Sequence, residues 1–125
     1  MKLTNRFDKK HRIVYVDALG TIYAEDFIAN QMKILDHPDF EGDLNALWDL
    51  SKTQVHHSLD IEKLREISKF VDSIQGKAGN GKWAVVATDD DVFAFAIMYE
   101  MLVKELSMET KVFRGIAEAR SWLGL

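Results

Sequence analysis

The chain has 125 residues, of which 47% are hydrophobic and 29% charged, a composition typical of one soluble globular domain over residues 1–125. The net charge of -4 argues against a general nucleic-acid binder, which would normally present a basic face. The absence of cysteine excludes disulfides, thiol nucleophiles and cysteine zinc sites.

The first part of the chain predicts a hairpin followed by a helix. Residues 3–7 and 12–19 are rich in β-forming side chains, with a polar turn between them, and Gly20 and Thr21 break the second strand. Residues 24–35 then show apolar side chains at helical spacing behind an acidic first turn. We therefore expect two antiparallel strands and one helix before the centre of the chain.

The second part alternates strands and helices. Residues 44–50 predict a buried strand, and Ser58 or Asp60 is placed to cap an amphipathic helix that continues to Ile74. The remaining predicted elements are a glycine-rich loop at 76–81, a strand at 82–88, a helix at 92–106, a strand at 110–113, and a helix at 116–123 that buries Ile116, Ala119 and Leu123. The order ββαβαβαβα predicts an α/β fold with a mostly parallel sheet and an N-terminal hairpin.

Several short segments spread over nearly the whole chain carry a family likeness. They are Ala24-Glu25-Asp26-Phe27, His37-Pro38-Asp39-Phe40, Leu47-Trp48-Asp49-Leu50, and Val112-Phe113-Arg114 followed by Glu118, Ala119, Trp122 and Leu123. With them the chain resembles the SpoIIAA-like (STAS) family of anti-sigma-factor antagonists. Within that family it resembles the small stand-alone group of unknown function.

The resemblance implies a switch site after the central strand. In the antagonists, a strand ending in Asp-Leu-Ser is followed by a turn reading Asp-Ser-Ser-Gly, and a serine of that turn is phosphorylated to switch partner binding. Asp49-Leu50-Ser51 matches the strand end, and Ser58 falls at the position of a turn serine. The turn departs from the family pattern because it reads His57-Ser58-Leu59-Asp60, without the paired serine and the glycine.

The residues of this region, considered without the resemblance, also make it the leading candidate binding site. Polar side chains are concentrated there, between the end of a strand and the start of the next helix. These side chains are Asp49, Ser51, His56, His57, Ser58 and Asp60. In open α/β sheets, ligands bind outside the carboxyl ends of the strands. Ser58 either carries a phosphate at the helix N-terminus or acts as a plain cap. His56 and His57 lack partners at metal-ligand spacing, so no metal site is expected.

Three predicted strands end in a polar residue at one edge of the sheet: Asp17, Asp49 and Thr88. This pattern is similar to the phosphoacceptor site of response-regulator receivers, in which carboxylates hold magnesium. Lys111 is the candidate for the catalytic lysine, although it starts its strand, and the chain is one βα unit short of a receiver. Turn and cap roles, or a polar lining for a ligand cleft, are the simpler interpretations.

The helix predicted at 92–106 is apolar on nearly every side. A helical wheel places Phe95, Met98, Leu102 and Leu106 toward the core, and Phe93 and Ile97 on the stripe of Glu100 and Lys104. Partly exposed Phe93 and Ile97 suggest a surface that contacts a partner subunit, a membrane or an apolar ligand. A neighbouring loop that covers both side chains is the alternative.

We therefore expect a non-enzymatic SpoIIAA-like binding module for a partner protein or a small apolar or amphipathic ligand. It would use no cofactor, metal or nucleic acid, would contact membranes at most peripherally, and would dimerise through the helix that bears Phe93 and Ile97. The sequence shows no signal peptide and no apolar run near the roughly 18 residues of a membrane helix, so a cytoplasmic location is expected. The alternatives are a phospho-switch at Ser58 and a degenerate receiver-like phosphoacceptor at Asp49.

Overall fold

The structure, a computed structural model, describes residues 2–125. Within them lie five strands: β1 (Leu3–Asp8), β2 (Ile13–Ile22), β3 (Asn45–Val55), β4 (Lys82–Val86) and β5 (Glu109–Phe113). Four helices alternate with them: α1 (Ala24–Asp36), α2 (Ile61–Ala78), α3 (Asp90–Leu102) and α4 (Ile116–Trp122). The predicted order ββαβαβαβα is confirmed.

The strands form one mixed sheet in the order β1-β2-β3-β4-β5. β1 pairs antiparallel with β2, and the other three pairs are parallel, so the predicted hairpin and mostly parallel sheet are both confirmed. Each parallel strand is added on the same side of the previous one. Because crossovers between parallel strands are right-handed, this order places α1, α2 and α3 on one face of the sheet.

Two apolar clusters fill the two faces. The larger one lies under α1, α2 and α3, and its sheet residues include Val16, Trp48, Leu50, Trp83 and Val85. The smaller one lies under α4 and contains Ile13, Leu47, Ala84, Val86 and Phe113, with Ala119 and Leu123 from the C-terminal segment. One face is thus covered by three helices, and the other by a single helix of seven residues.

Strands β2 and β3 both extend beyond their predicted ends. β2 does not stop at Gly20 and Thr21; it bends at a bulge after Asp17, and Gly20 adopts a φ of +80° within the strand. The extension pairs with the later part of β3, up to Ile22 beside Val55. Since this pairing satisfies the backbone, the polar residues Ser51 to Gln54 remain in the strand. The prediction that the strand ends at Leu50 was wrong, and the turn begins only after Val55.

Helix boundaries differ from the predictions for local reasons. α2 continues through Gly76 to Ala78, where Gly79, at a φ of +87°, ends it by donating its amide to Gln75. α3 starts at Asp90 because the Asp89 carboxylate accepts bonds from two amides of its first turn. α3 also ends at Leu102, four residues before the predicted end.

Burial differs from expectation at one residue of α4. The prediction that Ile116 is buried was wrong, because its side chain is 45% exposed, whereas Ala119 and Leu123 are buried as expected. Among the helices of residues 2–125, none combines the length and the apolar character that a bilayer crossing requires.

Two glycines provide a matched test of backbone packing. A Cβ at Gly81 would overlap the backbone carbonyl of Leu44, whereas a Cβ at Gly76, inside α2, would meet no atom within 4 Å. We expect Gly81→Ala to lower the free energy of unfolding by about 1–3 kcal/mol through overpacking. Gly76→Ala should raise it by about 0.5–1 kcal/mol, because alanine restricts the unfolded chain. Urea denaturation measures both, and equal effects at the two positions would contradict this account.

Candidate functional site

A cavity lies between the sheet and the three helices that cover its larger cluster. It has a volume of about 80 Å³, and α1, α2, α3, β3, β4 and β5 all contribute to its wall. Apolar side chains dominate the wall, with Phe27, Trp48, Leu50, Leu64, Trp83 and Phe95 among them. Protein interiors contain few voids larger than one water molecule, so a cavity of this size is a distinct feature of the fold.

Strand alternation determines which side chains reach the cavity. Successive residues of a strand point to opposite faces. In β3, Trp48 and Leu50 therefore face the cavity, while Leu47 belongs to the cluster under α4. Phe27 of α1 packs at a tilt against Trp48, with ring centroids 6.1 Å apart. The aromatic wall is thus held jointly by the sheet and α1.

Three of the fifteen lining residues are polar, and all three are uncharged: Gln31 of α1, Tyr99 of α3 and Thr110 of β5. Gln31 is only 6% exposed. The hydroxyl oxygen of Thr110 is buried and has no hydrogen-bond partner among residues 2–125. Burial raises the pKa of Tyr99, so its hydroxyl stays protonated and able to donate at neutral pH.

The turn after β3 lies at the edge of the cavity, because Val55 and Leu59 on either side of it are lining residues. The Ser58 amide donates to His56 Nδ1 at 3.1 Å, and the Ser58 hydroxyl lies 2.7 Å from the same nitrogen. A ring nitrogen that accepts an amide bond carries no proton, which places the neutral ring's proton on Nε2. The His56 ring also stacks on Tyr23 at 4.3 Å, so the turn is tied to the start of α1.

Comparison with known proteins supports the fold. The chain is similar to the crystal structure of an uncharacterized protein from the DUF3478 family with a SpoIIAA-like fold, from Shewanella loihica PV-4. The two structures superpose with a TM-score of 0.60 at 14% sequence identity, over 97% of this chain and 91% of that one. The chain has a SpoIIAA-like fold. No family model matches the sequence, and no curated protein matches it either.

In this SpoIIAA-like fold, the polar residues predicted as one site lie in two places. Asp49 and Ser51 are strand residues, and the Ser51 amide donates to Asp49 at 3.0 Å. The Thr88 hydroxyl donates to the Ser51 carbonyl at 3.2 Å, which joins the segment after β4 to the interior of β3. His57 and Ser58 are exposed in the turn beyond Val55, roughly 13 Å further along the strand than Ser51.

The side chain of Asp49 is also directed away from the cavity. Asp49 alternates with Leu47 on the α4 face, beside Asp17 of β2. No group of three or more acidic or histidine side chains within residues 2–125 is placed to hold a metal ion. The receiver-like alternative at Asp49 depends on such a group, so the geometry does not favour it.

The α3 surface differs from the helical-wheel prediction. Met98 and Leu102, predicted to face the core, are each 37% exposed, and Met101 is 70% exposed. Phe93 is partly buried, and the Arg114 guanidinium covers its ring at 3.9 Å. The wheel failed because α3 is apolar on nearly all sides and carries no polar stripe to orient it.

The contact surface on α3 stays a prediction. Ile97 is partly exposed, as expected. Met98 and Met101 are better candidates than Phe93 for contacts on this surface, because their side chains are more exposed. A partner subunit, which the sequence suggested, would therefore contact the methionines first.

Sequence reasoning did not identify the cavity, because its aromatic lining reads as ordinary core. Two residues carried a signal that could have revealed it. Thr110 alternates with Met108 and Val112 on an apolar strand face, and Gln31 lies one turn before Ile34 on the buried side of α1. Polar side chains at core positions are unusual unless they have a partner or a role.

The cap of α2 can be tested by a matched pair of variants. The Asp60 carboxylate accepts a bond from the Lys63 amide at 3.0 Å, which identifies Asp60, rather than Ser58, as the N-cap. We expect Asp60→Ala to lower the free energy of unfolding by about 1 kcal/mol and Ser58→Ala to lower it by less. Thermal unfolding followed by circular dichroism separates them, and a larger loss at Ser58 would reverse the assignment.

The unpaired hydroxyl of Thr110 predicts a stabilising substitution. Thr110→Val removes a buried polar atom without a partner, so we expect the free energy of unfolding to rise by about 1 kcal/mol. Thr53→Val is the control, because the buried Thr53 hydroxyl donates to the Leu50 carbonyl at 2.7 Å. That variant should lose about 1 kcal/mol in urea denaturation. A loss at Thr110 would show that its hydroxyl is satisfied in solution.

Proposed function

We propose that this protein is a non-enzymatic binding module that holds a small apolar or amphipathic molecule in the cavity under α1, α2 and α3. The observation that carries the proposal is the composition of the wall, which has twelve apolar and three uncharged polar side chains. Ligand sites are typically concave and mostly apolar, with a few polar groups that orient the ligand. This cavity is likewise mostly apolar with a few polar groups, although it is small.

The energetics of packing support an occupant. Leaving a cavity of about 80 Å³ empty costs roughly 2 kcal/mol relative to a filled core. That penalty is a substantial part of the stability of an ordinary domain. A molecule that fills the cavity recovers it, so the fold gains stability as it binds.

Binding is a better proposal than catalysis at this place. The cavity wall contains no histidine and no carboxylate of residues 2–125 that could act as a general base. His56 and Ser58 lie in the adjacent turn, where the Ser58 amide already occupies the nitrogen that would have to accept a proton.

The phospho-switch alternative at Ser58 has less support. A phosphate at a helix start is stabilised by free amides. At the start of α2, the Asp60 carboxylate already accepts the Lys63 amide and adds a negative charge nearby. A phosphate on Ser58 would therefore lie close to a second negative charge.

A series of straight-chain 1-alkanols tests the proposal. Each added CH₂ that enters the cavity contributes about 0.8 kcal/mol, so we expect the affinity to rise about fourfold per carbon until the cavity is full. The Trp122→Phe variant leaves Trp48 and Trp83, both in the wall, as the only tryptophans, and their fluorescence reports binding. Affinity that is absent, or that does not depend on chain length, would contradict the proposal.

Two alanines of α3 provide the matched variants for this titration. Ala96 lines the cavity, whereas Ala94 on the same helix is exposed. Ala96→Leu places three extra carbons in the cavity and should abolish alkanol binding, while Ala94→Leu should leave it unchanged. Thermal unfolding establishes that both variants fold. Binding that survives in Ala96→Leu would show that alkanols bind elsewhere on the protein.

A further inference from the structure

The cavity wall is uncharged throughout the described part of the chain. None of its lining residues is a lysine, arginine, aspartate, glutamate or histidine. Apart from the indole N–H groups of Trp48 and Trp83, its polar side-chain atoms belong to Gln31, Tyr99 and Thr110. These three side chains both donate and accept hydrogen bonds without carrying charge at neutral pH. The chemistry of the wall therefore limits the chemistry of any occupant.

One of the acidic residues adjacent in sequence to this wall is directed elsewhere. Glu100 follows Tyr99 on α3, and its carboxylate accepts the backbone amide of Val112 at 2.9 Å. This bond ties α3 to β5, the strand that carries Thr110, and the two elements pack together. Tyr99 and Thr110 therefore lie on neighbouring elements. The Glu100 carboxylate binds a backbone amide of β5, at the edge of the sheet.

An ionised group would be poorly accommodated in such a wall. Moving a carboxylate or an ammonium ion out of water into apolar surroundings is costly unless an opposite charge pairs with it. A hydroxyl or a carbonyl needs only a neutral partner, and the buried Thr110 hydroxyl has none among residues 2–125. Such a ligand group would satisfy the one buried polar side-chain atom that lacks a partner within residues 2–125.

We propose that the ligand is an uncharged molecule with an apolar body and one hydroxyl or carbonyl group, which hydrogen-bonds to Thr110 while the body packs against Trp48 and Trp83. This inference rests on the proposed function, because it concerns the same cavity. It excludes ionised fatty acids and amines as the natural ligand class. The Tyr99 hydroxyl and the Gln31 amide supply further neutral partners along the wall.

Three probes of equal chain length test the charge selectivity: 1-pentanol, 1-pentylamine and pentanoate. At neutral pH we expect 1-pentanol to bind and both ionised probes to bind at least tenfold more weakly. The carboxyl of pentanoate titrates near that of glutamate, at roughly pH 4.3. If only its protonated form binds, its apparent affinity falls about tenfold per pH unit above that value, or about 100-fold between about pH 5.5 and about pH 7.5.

Pentanol is also the control for the pH series. It does not ionise, so its affinity over the same range reports any change in the protein itself. The inference predicts a constant pentanol affinity and a falling pentanoate affinity. Pentanoate that binds as tightly as pentanol near neutral pH would overturn it, while binding by the cavity would stand.

The position of the polar contact is tested with Thr110→Val. We expect this variant to bind 1-pentanol roughly three- to tenfold more weakly, because one hydrogen bond to the ligand is lost. It should bind 1-chloropentane, which cannot donate a hydrogen bond, at least as tightly as the unmodified protein does. Equal affinity of both proteins for pentanol would show that Thr110 does not hydrogen-bond to the ligand. No binding of any of these probes would instead refute the proposed function.

Discussion

The handedness of the crossovers between parallel strands is the constraint on which the rest of this structure depends. β2, β3, β4 and β5 are added in one direction, so their three connecting helices are placed on one face of the sheet. The apolar layer on that face is therefore deep enough to form a cavity. The other face has only α4, a helix of seven residues, over the smaller cluster.

The same strand order explains why the carboxyl ends of the strands are a weaker candidate site than the sequence suggested. In doubly wound sheets, the crevice at these ends forms where the strand order reverses and helices pass to opposite faces. Here the order runs from β1 to β5 without a reversal. Asp49 and Ser51 are instead linked by a hydrogen bond within β3, and Thr88 donates to the Ser51 carbonyl from the segment after β4, which is a structural use of polar side chains.

Element order, the hairpin and the parallel sheet were predictable because each rests on periodicity within one segment. The extended ends of β2 and β3 were not, because two long strands pair there and keep polar residues such as Lys52 in the sheet. The orientation of α3 also could not be predicted from the sequence, because an apolar helix has no polar face that marks its solvent-exposed side. The cavity could not be predicted for a similar reason. The sequence does not distinguish a tryptophan such as Trp48 in a filled core from one that lines a cavity.

In the proposed ligand site, Thr110 and Gln31 would connect stability to function. Valine at position 110 would fit the strand equally well and leave no buried hydroxyl unpaired, so threonine is the less stable choice there. Local rules that a sequence breaks without a structural gain concentrate at functional sites. The proposed uncharged ligand would account together for the two neutral polar side chains at core positions of this cavity.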